Sequence, residues 1–278
     1  YGMENELVVK SNKLIEASYR LTLTEQRLIL LAIVYARKTG LGLSEKNLLT
    51  ISASDYAAQF GADEKSAYAQ IEQAAKTLFS RFVVINDHHP ETGKPRSSDV
   101  RWVQKTSYIS GAGLVQLKFS DDVIPLVTRL ETEFTSYKLV VVSKLSSAYA
   151  IRLYELLIQW GSVGNREIEI NWLKHTFQID GEYQRLERLK SRVIDVAIKQ
   201  INEHSDLTVS YSQRKSGRTV THLTFKFEPK ALNKPVTSKS TTRTKPSKIS
   251  KKEIEELARV GESYAEAEER IIRERAAA

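Results

Sequence analysis

Cysteine is absent from all 278 residues, which excludes disulfides, thiolate zinc sites and a catalytic thiol together. Glycine is sparse too: the twelve present are scattered, and none falls in the spacing of a phosphate-binding P-loop or a dinucleotide fingerprint. Long apolar runs are missing. The longest, Leu28–Ala36, is far short of the roughly 20 residues that cross a bilayer, so no membrane association is expected. No basic-then-apolar-then-small pattern opens the chain, which makes a cytoplasmic location the expectation. Histidine is scarce, and only His88-His89 cluster. Adjacent side chains point in different directions and no third ligand lies nearby, so this pair reads as a polar loop ahead of Thr92-Gly93. His175, His204 and His222 are isolated and read as structural. Tyr183 could serve as a strand-cleaving nucleophile, but no metal-ligand cluster is there to activate a phosphate. Catalysis, a metal and a cofactor are therefore not expected.

Positive charge, by contrast, is in excess. The chain carries 42 Lys and Arg against 34 Asp and Glu, a net charge of +8, which points to a polyanionic partner. Between Lys230 and Lys252 there are eight cations and no acid, in a Ser-, Thr- and Pro-rich stretch. That composition reads as a disordered basic linker. Residues 253–278 hold eight acids and four Arg with a thin apolar stripe, a marginal terminal helix at most. The apolar content, 41%, is ordinary for a globular protein, so the remainder should be compact.

Within residues 8–228 one order of elements occurs twice. In the first half, Thr22 or Thr24 opens a helix with Leu28, Leu31, Ala32 and Tyr35 at helical spacing. Leu48–Ile51 reads as a short strand, Ser54 or Asp55 caps a short helix, and Asp63 begins a longer one with Ala67, Ile71, Ala74 and Leu78 inward. Phe82–Ile85 is a β-type run, and Trp102–Ser110 with Leu114–Phe119 reads as a hairpin. In the second half, Ser146–Trp160 is a helix, Glu167–Ile170 a strand, Asn171 the cap of a short helix, and Glu182–Asn202 a long amphipathic helix. Leu207–Ser212 and Val220–Phe227 then form a hairpin around a basic loop. Helix, strand, helix, helix, hairpin is the order of a winged helix, whose second turn-joined helix can enter the major groove. The same order would suit two α+β domains whose helices merely pack.

On the long helix of the second half, 100° per residue places Leu186, Leu189, Val193, Val196, Ala197 and Ile201 in one buried stripe. Gln184, Arg188 and Ser191 then point the opposite way, with Arg185 and Arg192 on the flanks. Arginine pairs bidentately with guanine and glutamine with adenine. Arg214, Lys215 and Arg218 read as a basic hairpin tip suited to phosphates or the minor groove. In the first half the equivalent face carries Lys65, Gln73 and Lys76 with Glu72 among them, suited to following the backbone more than reading bases.

These residues resemble the iteron-binding plasmid replication initiators, of the F-plasmid initiator type, and are similar to Acinetobacter plasmid Rep proteins. Ser11-Asn12-Lys13-Leu14 followed by Glu16–Tyr19 resembles the family's opening. Tyr149–Leu156 (YAIRLYEL) resembles its YAMRLYE helix, and Ile170-Asn171-Trp172 its strand-to-helix step. Tyr183-Gln184-Arg185, Arg192, Ile201-Asn202 and the run Lys215–Phe227 (KSGRTVTHLTFKF) resemble its recognition helix and wing. The resemblance covers roughly residues 8–228 and implies two tandem winged-helix domains; with the disordered basic C-terminal tail read from composition, which lies outside it, the expected chain is α+β. It implies an N-terminal domain at 8–140 for dimerisation and DNA contact and an iteron-recognition domain at 141–228, while the basic linker with terminal helix at 229–278 rests on composition alone. Its implied partners are double-stranded DNA, as origin iterons and an operator inverted repeat, and the host replication initiator, helicase and chaperones. A homodimer in equilibrium with monomer is implied, the monomer opening the origin and the dimer repressing the protein's own promoter. Arg185 and Arg192 match base- or phosphate-contacting arginines of the family, whereas Arg188 and Ser191 depart from it, so the repeat read here differs. The alternatives are a winged-helix repressor without initiation activity and, against the missing metal cluster, a nickase. For the dimer, the 102–119 hairpin offers a strand edge, with Val115 and Leu117 the expected contacts.

Overall fold

The computed structural model describes residues 6–44, 47–109, 111–128, 133–230, 270–271 and 273–274. Residues 1–230 form one compact unit and 231–278 another. In the second unit, Arg270 donates to Glu274 (3.0 Å) in a helical stretch. The expected basic linker and most of the terminal helix lie outside the described residues.

The first unit opens with β1 (Leu7–Ser11) and α1 (Asn12–Glu16). A three-helix group follows: α2 (Leu23–Thr39), then β2 (Leu49–Ser52), α3 (Ala53–Phe60) and α4 (Glu64–Leu78). Two hairpins come next, β3 (Phe82–His88) with β4 (Pro95–Arg101), and β5 (Val103–Ile109) with β6 (Leu114–Phe119). Then α5 (Ile124–Thr128), β7 (Phe134–Lys138) and α6 (Leu139–Ser143) lead into the second half. That half contains α7 (Ala148–Ile158), β8 (Asn165–Glu169), α8 (Ile170–Thr176), α9 (Leu186–Leu189) and α10 (Asp195–His204), closed by β9 (Leu207–Ser216) and β10 (Thr219–Pro229). Each half is a winged helix, with sheets ordered β2-β6-β5 and β8-β10-β9.

Local chemistry sets the helix starts. Thr22 caps α2 in a reciprocal box: its hydroxyl accepts from Glu25 N (3.3 Å), and the Glu25 carboxylate accepts from Thr22 N (2.7 Å). Glu25 is buried, and Arg81 Nε satisfies the same carboxylate at 3.0 and 3.1 Å. Asp63 caps α4, accepting from Ser66 N (3.0 Å). α3 starts earlier than expected, because Ser52, not Ser54 or Asp55, accepts the Asp55 N–H (3.0 Å). Asn171 likewise lies inside α8, whose N-cap is Glu169. Both α2 and α7 are buried nearly all round over Leu28–Val34 and Ala150–Leu157, because each is the central helix of its half; in α7 the buried face includes the charged Arg152 and Glu155.

Two expectations about strands need correction. Polar, proline-initiated Pro95–Arg101 pairs along its whole length with β3, so an extra hairpin is inserted between α4 and the wing. Val115 and Leu117 sit on β6, which lies between β2 and β5 and buries both side chains completely. They cannot offer an edge; β5 is the free edge of that hairpin.

The halves are joined by a polar seam rather than a loose linker. Lys10 of β1 and Glu155 of α7, both fully buried, form an ion pair at 2.6 Å, and the Tyr137 hydroxyl donates to the same carboxylate oxygen at 2.5 Å. Burial first, then the Glu155 charge, keeps the Tyr137 hydroxyl protonated well beyond its ordinary range. The Arg152 guanidinium donates to Ile15 O (2.9 Å) and Ala17 O (2.8 Å) and lies 3.6 Å over the Tyr19 ring. Tyr19 N donates to Thr176 O (3.2 Å), and the Ser18 hydroxyl to His175 O (2.5 Å).

Candidate nucleic-acid interface

The helix expected to run unbroken from Glu182 starts only at Leu186, with Arg185 as an extended N-cap residue (φ −91°, ψ 130°). Tyr183 just before it adopts a left-handed backbone (φ +52°), a conformation that costs a non-glycine residue energy and persists where surroundings fix it. Lys190–Ile194 is a π-turn joining α9 to α10. One extra residue in that turn rotates everything after it. Ile194 therefore enters the core, whereas Val196, expected inside, is 38% exposed.

Despite that break, Gln184, Arg185, Arg188, Ser191 and Arg192 are all exposed and line one open concavity together with Glu182 and Tyr183. The π-turn follows Leu189, so Arg188 keeps its α-helical orientation. Gln184 Nε2 donates to Gly181 O and the Ser191 hydroxyl to Arg188 O, both weakly at 3.4 Å. Arg185, Arg188 and Arg192 have no ion-pair partner among the described residues. Three uncompensated guanidiniums in one concavity form an anion-attracting surface with bidentate donors.

The wing differs from expectation in one respect. β9 runs to Ser216 and β10 starts at Thr219, leaving only Gly217-Arg218 in the turn, with Gly217 at φ +60°. Lys215 and Arg218 are exposed near this tip. Arg214 is not at the tip. It lies in β9, where its Nε donates to Glu167 Oε2 of β8 at 2.9 Å, and Thr224 donates to the same oxygen at 3.2 Å. Desolvation opposes ionisation of Glu167, but the bonds from Arg214 and Thr224 outweigh it and hold the carboxyl below its usual range.

In the first half, Lys65, Gln73 and Lys76 share the exposed face of α4 with Ala69 and Gln70. Lys76 is engaged: it donates to Glu72 at 2.6 Å and lies 5.1 Å over the Tyr108 ring. The Glu72 bond raises its pKa.

Arg20 is the residue that sequence reading missed. It leaves the chain ahead of α2, yet pairs with Glu182 at the rim of the second-half concavity. No local pattern signals a partner 162 residues away. His89 turns back on its own loop, its Nδ1 accepting from Glu91 N at 3.3 Å. Among the described residues no group of three or more His, Asp or Glu is placed to hold a metal. No described helix is long and apolar enough to cross a membrane.

Comparison with known proteins fits this geometry. Residues 7–158 match the family model described as "Initiator Replication protein, WH1", and 169–227 match "Initiator Rep protein, WH2". The chain is 27% identical over 231 residues to an Escherichia coli protein described as an "Uncharacterized 27.6 kDa protein", covering 80% of this chain and 95% of that one. Its fold is similar to the Pi initiator protein crystallised with iteron DNA, with a TM-score of 0.67, 21% identity, and 81% and 98% of the two chains covered. The WH1 domain of a replication protein isolated from a multiple sclerosis patient is 39% identical over 40% of this chain and 83% of its own, with a TM-score of 0.35. With both matched segments each folded as a winged helix, the chain belongs to the initiator replication protein family.

Proposed function

We propose that this chain is a plasmid replication initiator that binds repeated duplex DNA at an origin, reading bases through the second winged helix. The single observation that carries the reading is the concavity shared by Gln184, Arg185, Arg188, Ser191 and Arg192, whose arginines have no ion-pair partner among the described residues. Gln184, Arg188 and Ser191 are the base-reading set, and Arg185 and Arg192 flank it. Lys215 and Arg218 at the wing tip hold phosphate, with Arg214 beside them. Lys65, Gln73 and Lys76 of α4 follow the backbone of the adjoining segment. The Pi initiator's complex with iteron DNA supports direct repeats as the target. We divide the chain at 140/141, because α7 packs against α10, although the WH1 family match runs through α7 to residue 158.

Origin opening, recruitment of host helicase, host initiator and chaperones, and autorepression by a dimer at an inverted repeat complete this reading, with the monomer as the repeat-binding form. Two measurements test it. Selection of bound duplexes from a random library, using the full chain, should return one repeated sequence. That sequence should recur as an array in DNA flanking the gene, and a plasmid carrying the array should replicate only when the protein is supplied. A single selected sequence without replication would leave a repressor instead; no selected sequence at all would end the reading.

A further inference from the structure

Two arginines beside the reading surface are treated differently from those within it. Among the described residues Arg185, Arg188 and Arg192 have no ion-pair partner, but Arg214 on the wing is held by Glu167 at 2.9 Å, and Arg20 at the rim by Glu182. Both pairs are surface pairs: side-chain exposures are 48% and 42% for Arg214 and Glu167, and 45% and 43% for Arg20 and Glu182. Exposed pairs of this kind contribute little to folding, so stability does not account for them. Their electrostatic effect on a polyanion is larger. An arginine capped by a carboxylate is neutral when viewed from beyond a Debye length of about 8–10 Å, so it adds nothing to the field that draws arbitrary DNA.

We propose that Glu167 and Glu182 are specificity-determining residues: their carboxylates stand where DNA phosphates would bind Arg214 and Arg20, and release them only to a correctly docked duplex. The inference rests on the DNA-binding reading above. On random duplex the protein is not held in one register, so no phosphate is fixed where it could displace the carboxylate. On its own site the base contacts hold the register, a phosphate is placed on each arginine, and the exposed pair opens. A guanidinium can exchange a carboxylate oxygen for the non-bridging oxygens of a phosphate and take both with its fork of donors, which suits arginine better than lysine.

The test uses the full chain, a random-sequence duplex and the selected duplex, with salt titrations by fluorescence anisotropy. Glu167→Gln should strengthen binding to random duplex several-fold at low salt. It should also steepen the slope of log affinity against log salt there by about 0.9, the signature of one more phosphate contact. Affinity for the selected duplex should change less and its slope not at all, so preference falls. Glu169→Gln, on the same outward face of β8 with the same charge change but holding no arginine, supplies the control for bulk electrostatics. In an Arg214→Gln background, Glu167→Gln should behave like Glu169→Gln. Glu182→Gln against Arg20→Gln repeats the cycle at the other flank. The proposal is overturned if Glu167→Gln matches Glu169→Gln in the native background, if its effect survives loss of Arg214, or if it weakens both duplexes. A wild-type chain that shows no preference for the selected duplex would instead fail the DNA-binding reading itself.

Discussion

Helices α4 and α9–α10 occupy equivalent places in the two winged helices, yet present different chemistry to solvent. On α4 the cation nearest the wing, Lys76, is tied to Glu72 and lies over Tyr108, and the rest of the exposed face is Lys65, Ala69, Gln70 and Gln73. On α9 and its approach and in the turn after it, Arg185, Arg188 and Arg192 have no ion-pair partner among the described residues and share one concavity. Counting basic residues would overstate the first face. What differs is whether each cation already has a carboxylate, and that is set by i,i+4 neighbours such as Glu72–Lys76. One fold used twice thus carries one face suited to reading and one suited to following.

The largest effect should come not from either face but from the seam that couples them. Lys10→Ala takes from the buried Glu155 carboxylate its closer cation, leaving it the Tyr137 hydroxyl and, 3.7 Å from its other oxygen, the Arg152 guanidinium. The cost should therefore lie at the low end of the about 3–5 kcal/mol for breaking a buried pair. Denaturant unfolding should show that loss in a single transition of both halves. Separate transitions would mean that the halves fold independently. Next, Arg188→Ala or Arg192→Ala should weaken binding to the selected duplex by about 1–3 kcal/mol while leaving random duplex closer to intact. Equal losses on both would reduce these arginines to phosphate contacts and erase the contrast with α4.

Removing residues 231–278 should weaken binding about fivefold at low salt and flatten its salt dependence, with little change in preference, since cations outside the reading surface act by counterion release. A stop after Lys252 would instead strengthen non-specific binding if the acidic terminal segment masks the basic stretch. The truncation keeps Lys230, because its ammonium donates to Ser205 O (2.7 Å) and to Asn202 O at the end of α10. Lys65→Ala or Gln73→Ala should have a smaller effect, about twofold and equal on all duplexes, if α4 only follows backbone.

Smallest is the pH response of the inserted hairpin. The bonds from Arg96 and then Lys13 hold the Asp87 carboxyl far below its usual range. A carboxyl whose pKa is lower folded than unfolded stabilises the fold at neutral pH. That contribution declines as pH falls through the ordinary carboxylate range toward the folded value. Hydrogen-exchange protection across Phe82–Arg101, taken relative to the intrinsic exchange rate at each pH, should therefore fall in acid, and Asp87→Asn should flatten that loss.

Most elements were legible because their signals are local. Thr22 opening α2, Asp63 at the cap of α4, and the stripe Ala67, Ile71, Ala74 and Leu78 each act within one or two helical turns. β4 was not legible: Pro95–Arg101 has almost no apolar residue, and its pairing with β3 supplies what its composition does not. The reading surface was visible as residue types, but the π-turn was not, since 3.6-residue periodicity assumes an unbroken helix. The tertiary structure alone decided three things. Val115 and Leu117 are buried in a central strand, Arg214 is held by Glu167, and Arg20 reaches the second half's concavity. By itself the sequence determined the two winged helices and the basic residues offered for binding, because periodicity, caps and charge are properties of neighbours along the chain. Lys76 is tied by its i,i+4 neighbour Glu72, but Arg214 and Arg20 are held by Glu167 and Glu182, acids brought close by folding, and no spacing along the chain encodes those distances.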